Sequence, residues 1–271
     1  MDNPYVLFRN EKFLVFYKPP YFIMDTSRDY KKITKSDIEK MWKSKRRPFL
    51  MYIKNYLKNN LNLNPLNPSY NVCQRLDINT SGGVLVSTGD NKKWNECRNI
   101  INNKEKTIKI YLCLVNGIIK KKEGYIYLNI KCKKRPTYCN TQNYNKNNKN
   151  SLPAVSYYKV YSEFSYKNKI FSLVLVRIFT GRTHQVRVSM KSLGTPIVSD
   201  DRYSVKSEIQ KELIKRMFLH NIYLSFEDNN KRYNIDIPLP TDIQNCLKKM
   251  KLIKRYKYNF NDIINLKPKL I

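Results

Sequence analysis

The chain has 271 residues, and its 52 Lys and Arg against 21 Asp and Glu give a formal charge of +31. Two histidines leave no room for a multi-histidine metal site, and neither a G-x-G-x-x-G nor a G-x-x-x-x-G-K-[ST] loop occurs, which sets aside the glycine-loop nucleotide folds. No run of about 18 apolar residues is present, so no helical membrane span is expected.

An excess of like charge repels itself on a compact chain and concentrates anions around it. It points to a polyanion partner, most simply nucleic acid. The abundance of Lys, Asn, Ile and Tyr also fits an AT-rich coding sequence, which accounts for the lysines better than for the scarcity of acids. Hydrophobic residues make up 41%, enough for a core. The six cysteines, Cys73, Cys97, Cys113, Cys132, Cys139 and Cys246, form no C-x-x-C. Their irregular spacing predicts buried free thiols in a reducing compartment. Met1 to Phe16 shows neither a secretion signal nor a transit pattern. Cytoplasm and nucleus both stay open, as does an organelle should the true start lie upstream.

In chain order, Tyr5 to Tyr17 reads as two short strands around a polar turn at Arg9–Lys12, ended by Lys18-Pro19-Pro20. A charged stretch around 28–47 reads as an exposed basic insertion. Phe49 to Leu57 has apolar residues at helical spacing. A loop at 59–68 precedes a strand, a polar turn and a second strand over 71–86. Asp90 to Asn102 reads as a helix, and Thr107 to Val115 and Tyr125 to Ile130 as strands. The Asn-rich segment 140–151 is of low complexity and reads as a disordered loop. Ala154–Val160 and Ile170–Ile178 are strands. Thr183–Leu193 is a helix, with Gly194 just past its end and Pro196 following. Phe218–Phe226 and Tyr233–Ile237 are strands, and a terminal helix begins near Asp242 in a basic tail over 241–271. No repeat and no domain boundary is visible. Neighbouring strands at hairpin spacing predict an α+β class with a mixed, mostly antiparallel sheet.

Glycine is scarce, seven in all, so each should mark a place where φ > 0 or close backbone approach admits nothing else. Two segments stand out. One is Gln74-Arg75-Leu76-Asp77-Ile78-Asn79-Thr80-Ser81-Gly82-Gly83, and the other is Thr180-Gly181-Arg182-Thr183-His184-Gln185-Val186-Arg187-Val188. Each is a polar insert where functional residues concentrate. An aspartate beside a guanidinium is ionised at neutral pH, fit for a nucleophile or a base. Spacing alone equally allows a turn aspartate capped by Thr80 and Ser81, with an ordinary surface arginine elsewhere. A nuclease would need clustered carboxylates for metal, and none is visible.

Arg75-Leu76-Asp77-x-x-Thr80-Ser81-Gly82 resembles the catalytic motif of the pseudouridine synthases, in particular the RluA-type branch. Gly181-Arg182-Thr183-His184-Gln185-Val186-Arg187, followed by Leu193-Gly194-x-Pro196-Ile197-Val198-x-Asp200-x-x-Tyr203, resembles that branch's second long motif in order and spacing. Lys109-x-Tyr111, ending in Val115-x-Gly117, is similar to the motif between them. Lys18-Pro19, Phe218-Leu219-His220 and Pro238-Leu239-Pro240 also fit, so the resemblance covers nearly the whole chain. Three positions depart from the pattern: Gln74, Ser189 and Ser199 stand where the family usually has His, His and Gly. The family's frequent N-terminal S4-type RNA-binding module is missing. Its place is open to the basic runs Lys31–Arg47, Lys120–Arg135 and Lys248–Lys257, which equally suit plain solvated faces.

The resemblance implies a pseudouridine synthase fold, with helices and loops flanking a mixed sheet and a central catalytic cleft in a single domain over 1–271. It implies isomerisation of uridine to pseudouridine in ribosomal or transfer RNA, without cofactor or metal, by a monomer with no membrane partner. Asp77 is then the catalytic carboxylate and Arg182 its partner. Tyr111 stacks on the base and helps remove the C5 proton. Arg75 fills the space of the flipped-out uridine, Leu219 forms an apolar floor, and Thr80 and Gly82 line the substrate. Lys109 and Arg187 contact RNA, and His184 orients its loop. The competing expectation is an inactive RNA-binding or RNA-chaperoning protein that keeps the fold.

Overall fold

A computed structural model of the chain describes residues 3–24, 47–64, 69–134, 137–143, 145, 151–205 and 207–267. The basic insertion expected around 28–47 lies outside these residues except for Arg47. The chain forms two compact units, 1–107 with 223–237, and 108–222 with 238–271. Each unit is built from two separated stretches of chain, so no linker marks a boundary and the sequence shows none.

In the first unit, β1 (Tyr5–Arg9), β2 (Phe13–Lys18) and β5 (Gly82–Ser87) form an antiparallel sheet in the order β1-β2-β5. Every residue of β2 and β5 is buried, which is why Phe13–Tyr17 and Val84–Val86 read as continuous apolar runs rather than alternating ones. Between them, β3 (Phe22–Ile23) pairs in parallel with β4 (Arg47–Pro48). Helix α1 (Phe49–Leu61) buries Phe49, Leu50, Ile53 and Leu57 on one face and ends at Asn62, whose φ of 51° stops it with a left-handed cap. Helix α2 (Asn91–Asn102) starts where the Asp90 side chain accepts from Lys93 N at 2.9 Å and buries Cys97 and Ile101. The core joins Phe13, Val15, Tyr17, Leu85, Cys97 and Ile101 to Phe226, Ile235 and Ile237. The last three come from the returning hairpin, in which Tyr223–Asp228 of β11 pairs with β12 (Lys231–Asp236).

The second unit is built on β6 (Ile108–Asn116), β7 (Glu123–Lys134), β8 (Thr137–Asn143), β9 (Leu152–Tyr166), β10 (Lys169–Ile178) and the first residues of β11 (Leu219–Asp228). They lie in the order β11-β6-β10-β9-β7-β8, and the pairs from β6 to β8 are antiparallel. Helix α3 (Gln185–Ser192) packs across β7 to β10. There Val188 joins Ile130, Cys139, Ala154 and Tyr203 in a small core. Helices α4 (Glu208–Leu213) and α5 (Thr241–Lys248), strand β13 (Lys251–Arg255) and helix α6 (Phe260–Ile264) complete it. The class is α+β with a large antiparallel sheet, as expected. Among the described residues no helix is long and apolar enough to cross a membrane.

Two expectations are corrected. The start of the supposed loop at 140–151 is strand, because residues 140–143 pair with 128–131 of β7; 144 and 146–150 lie outside the described residues. The basic tail is not one terminal helix: after α5 it becomes β13, which pairs with the far half of β9. Neither strand shows an alternating apolar pattern, and both exist through their partner's backbone.

Candidate functional site

The Asp77 loop is fixed by the first unit's sheet. Lys18 ends β2 opposite Gly82, where β5 begins. Its side chain is fully buried, and its Nζ donates to the carbonyls of Pro19 (3.0 Å), Ile78 (3.3 Å) and Thr80 (2.8 Å). A buried ammonium without such acceptors would be costly, so Lys18 and the loop hold each other in place. The loop closes where Thr80 N donates to Asp77 O (3.1 Å), and Tyr21 N donates to Ile78 O (2.7 Å). Gln74, at the family's histidine position, donates from Nε2 to Gly83 O at 3.1 Å and ties the entering chain to β5. Gly82 has φ 145°, a backbone shape that favours glycine, and a Cβ on Gly83 would meet the tip of the Ile237 side chain at 2.7 Å, so that side chain would have to shift.

This frame leaves Asp77 half-buried and Arg75 exposed. Thr80, expected to line substrate, is only 2% exposed. It serves through its carbonyl, and Gly82 serves through its backbone. Lys18 carries no assigned role in the sequence motifs. Its signal was a lysine in a buried strand beside Pro19-Pro20, a position where a cation needs carbonyl acceptors.

In the second unit three neighbouring strands carry the other candidates. Tyr111 and Lys109 lie on β6 opposite Val176 and Ile178 of β10. Leu219 opens β11, where Asn221 Nδ2 donates to Ile110 O at 2.9 Å. Tyr111 and Leu219 are buried. From the end of β10 the chain turns into the Arg182 segment, held by Gln185. The Gln185 Oε1 accepts from Thr180 Oγ1 (2.8 Å) and Arg182 N (3.0 Å), while its Nε2 donates to Val155 O and Ser156 Oγ, both at 3.0 Å. Arg182 is half-buried, with Nε donating to Pro153 O at 3.0 Å, and this burial lowers its pKa. Gln185 is thus a second positioning residue that the sequence reading left without a role. His184 caps α3 at φ 57°, with Nδ1 2.8 Å from Tyr203 Oη.

Arg187, expected on the RNA surface, is 4% exposed. It donates from Nε and Nη2 to the two carboxylate oxygens of Asp200 at 2.8 and 2.7 Å, and it lies over the Tyr203 ring. A guanidinium enclosed this way has no face left for phosphate and locks α3 to the segment after it. Ser199, where the family usually has glycine, keeps the left-handed φ of 57°. Its Oγ lies 3.1 and 3.0 Å from Gln210 O and Ile214 O, which share its one hydroxyl proton.

Burial pushes the Lys109 ammonium down to about 8. An unfolded lysine titrates at about 10.4, so between these values the unfolded chain binds more protons and stability rises with pH. Urea unfolding of the wild type and Lys109→Met is expected to show the difference moving in favour of the wild type from about pH 8 to about pH 10.4. A flat difference across that window would mean a solvated ammonium.

The expectation of six free thiols is also corrected. Cys132 and Cys139 are paired residues of β7 and β8 and form a disulfide, leaving Cys73, Cys97, Cys113 and Cys246 free and buried. Both bonded sulfurs lie against Thr183 O, at 3.8 and 3.5 Å, one residue from Arg182. Burial raises the Cys113 thiol and takes Cys246 to about 12, where thiolate chemistry is suppressed. Alkylation of the denatured, unreduced protein should label four thiols, and six after reduction. Six without reductant would remove the disulfide.

Among the described residues no group of three or more His, Cys, Asp or Glu side chains is placed to hold a metal ion. The family described as RNA pseudouridylate synthase matches residues 12–192. A ribosomal large subunit pseudouridine synthase C of Rickettsia felis is 34% identical over 183 residues, which are 66% of this chain and 56% of that protein. A Helicobacter pylori protein described as an uncharacterized RNA pseudouridine synthase is 27% identical over 254 residues, 90% of this chain and 69% of its own. Among solved structures, human RNA pseudouridylate synthase domain containing 1 superposes with a TM-score of 0.68 at 20% identity, covering 97% of this chain and 93% of that one. Human RNA pseudouridylate synthase domain containing 4 gives 0.62 at 16% identity, covering 93% and 94%. The structural likeness shows a shared fold.

Proposed function

The chain belongs to the RNA pseudouridylate synthase family, and from that premise we propose that it isomerises uridine in ribosomal or transfer RNA with Asp77 as its catalytic carboxylate. The observation that carries the reading is the Asp77 loop. A buried lysine is committed to shaping that loop through two of its carbonyls, while Asp77 itself stays partly accessible. Rigid support of this kind suits a group that must meet a substrate in one geometry.

In the reaction the N1–C1′ bond breaks, the base turns, and C5 bonds to C1′. The C5 proton leaves and N1 gains a proton, so no oxidant or reductant is consumed. The Asp77 carboxylate acts on the sugar, either by adding to it or by taking a proton from it. Arg182 is the second charged group that the family resemblance assigns to the reaction. Tyr111 stacks on the base and assists loss of the C5 proton. A uridine within folded RNA must first be flipped out, at a cost of a few kcal/mol, and Arg75 occupies the vacated space.

The test is incubation of the purified protein with bulk ribosomal and transfer RNA in EDTA, followed by pseudouridine mapping. New pseudouridine at discrete uridines is expected. RNA binding with no new pseudouridine in either pool would instead identify a binding protein that retains the fold. Tyr111→Phe is expected to bind RNA normally and turn over at least about tenfold more slowly, since a positioned proton-transfer group contributes about 10²–10⁴. A rate near wild type would remove Tyr111 from proton transfer.

A further inference from the structure

In the second unit, two basic runs far apart in sequence converge on one tyrosine. Strand β13 pairs with Ser162–Ser165 of β9, and all five of its residues are exposed. The chain continues into Tyr256, whose N donates to Tyr161 O at 3.0 Å and whose Oη donates to Glu163 Oε1 at 2.8 Å. Lys122 reaches the same Glu163 oxygen at 2.6 Å, and its Nζ stands 5.4 Å from the Tyr256 ring centre. Lys254 stands 5.1 Å from that ring, and Arg255 lies 5.8 Å from the ring of Tyr161. Tyr258 packs edge-on against Tyr161.

The charge here is strongly one-sided. Glu163 and Glu123 are matched by Lys122 and Lys159. Among the described residues, no ion pair is found for Lys120, Lys121, Lys251, Lys254, Arg255 or Lys257, and all six are exposed. Two of the six are seated on rings, Lys254 on Tyr256 and Arg255 on Tyr161, so those ring faces are already taken. Such a surface offers ordered positive charge and few open ring faces. It suits phosphates spaced along a chain more than bases.

We propose that this face, centred on β13 and Tyr256, is an auxiliary track for the RNA backbone, which holds phosphates of the substrate RNA without reading its bases. The proposal rests on the RNA substrate proposed above and adds where that RNA is held. A lysine-rich edge strand also blocks unwanted strand pairing, so the decisive property is the contribution to RNA affinity.

The experiment compares the full chain with a variant carrying Lys251→Gln, Lys254→Gln, Arg255→Gln and Lys257→Gln, after melting curves confirm equal folding. Fluorescence anisotropy with a labelled oligouridylate and an oligoadenylate of equal length reads affinity against salt. Each single-strand phosphate contact contributes about 0.7 to the log–log salt slope, so loss of four contacts should flatten the slope by about 2 to 3. Affinity should fall at least about tenfold in low salt, equally for both probes. Pseudouridine formation at saturating enzyme should be unchanged, with half-saturation moved to higher RNA concentration.

An unchanged slope and affinity would overturn the proposal and leave β13 as a guarded edge. Loss confined to one probe would overturn backbone recognition. Weakened binding to phosphatidylserine vesicles with intact RNA binding would assign the face to a membrane surface instead. Binding needs no turnover, so a protein that binds through this face yet makes no pseudouridine would sink the proposed reaction and not the track.

Discussion

Asp77→Asn is expected to lower pseudouridine formation by at least about a thousandfold, the scale seen when a single group is removed from a catalytic set. RNA affinity should be nearly unchanged. The substitution keeps the volume of the side chain, and it leaves in place the backbone bonds that help shape the turn: Thr80 N to Asp77 O, and the Ile78 and Thr80 carbonyls to Lys18. It removes one negative charge from a surface that must meet phosphate, so any change in binding should be a gain. Single-turnover assays and anisotropy on the same RNA check both halves. Near-normal turnover in Asp77→Asn would end the catalytic assignment, and loss of binding together with turnover would show a structural role.

The second large effect concerns stability. Asp200 is fully enclosed, and Arg187 closes on it through two short bonds. Asp200 also accepts from Arg202 N at 3.0 Å and Tyr203 N at 3.2 Å. Asp200→Ala removes the two-pronged partner of a buried guanidinium, leaving it the exposed Asp201 carboxylate at 3.1 Å, and frees two backbone donors, which should cost about 3–5 kcal/mol. Replacing both partners by apolar residues, Arg187→Met with Asp200→Leu, should restore much of that loss, because the penalty lies in the unpaired charge more than in the missing pair. Urea denaturation of the three proteins reads this directly. A cost for Asp200→Ala within about 0.5 kcal/mol, the range of ordinary surface substitutions, would contradict the enclosed pair.

The reading of Arg187 shows why some of the site was hidden. An arginine in a basic chain is most often solvated, and nothing local to Val186–Val188 announces a carboxylate thirteen residues on. By contrast, the helices at 49–61, 91–102 and 185–192 were legible, because their apolar spacing and caps are written in adjacent residues. The buried strands β2, β6 and β10 were legible as apolar runs. Strands β8 and β13 were not, since Thr137–Asn143 and Lys251–Arg255 hold their shape through pairing with distant chain.

The disulfide had a usable sign: with Lys134 opposite Thr137, a hairpin register sets Cys132 opposite Cys139. The role of Gln185 came from geometry alone, as it acts on a backbone carbonyl and amide that a sequence does not display; Lys18 showed only as a lysine closing an apolar run. The motif around Asp77 marked the residue, and the fold supplied the reason that its loop keeps one shape.

With β10 on one edge of strand β9, the other edge is shared by two partners: β7 covers Leu152–Lys159, and β13 covers Ser162–Ser165. The tail therefore closes a seam as well as carrying charge. Shortening the chain at Met250 and neutralising the lysines beyond it are different perturbations. The first lays bare a row of amides and carbonyls that a second copy can zip onto, so a clipped preparation should self-associate. Apparent RNA affinity in such material would reflect clumping as much as lost cations.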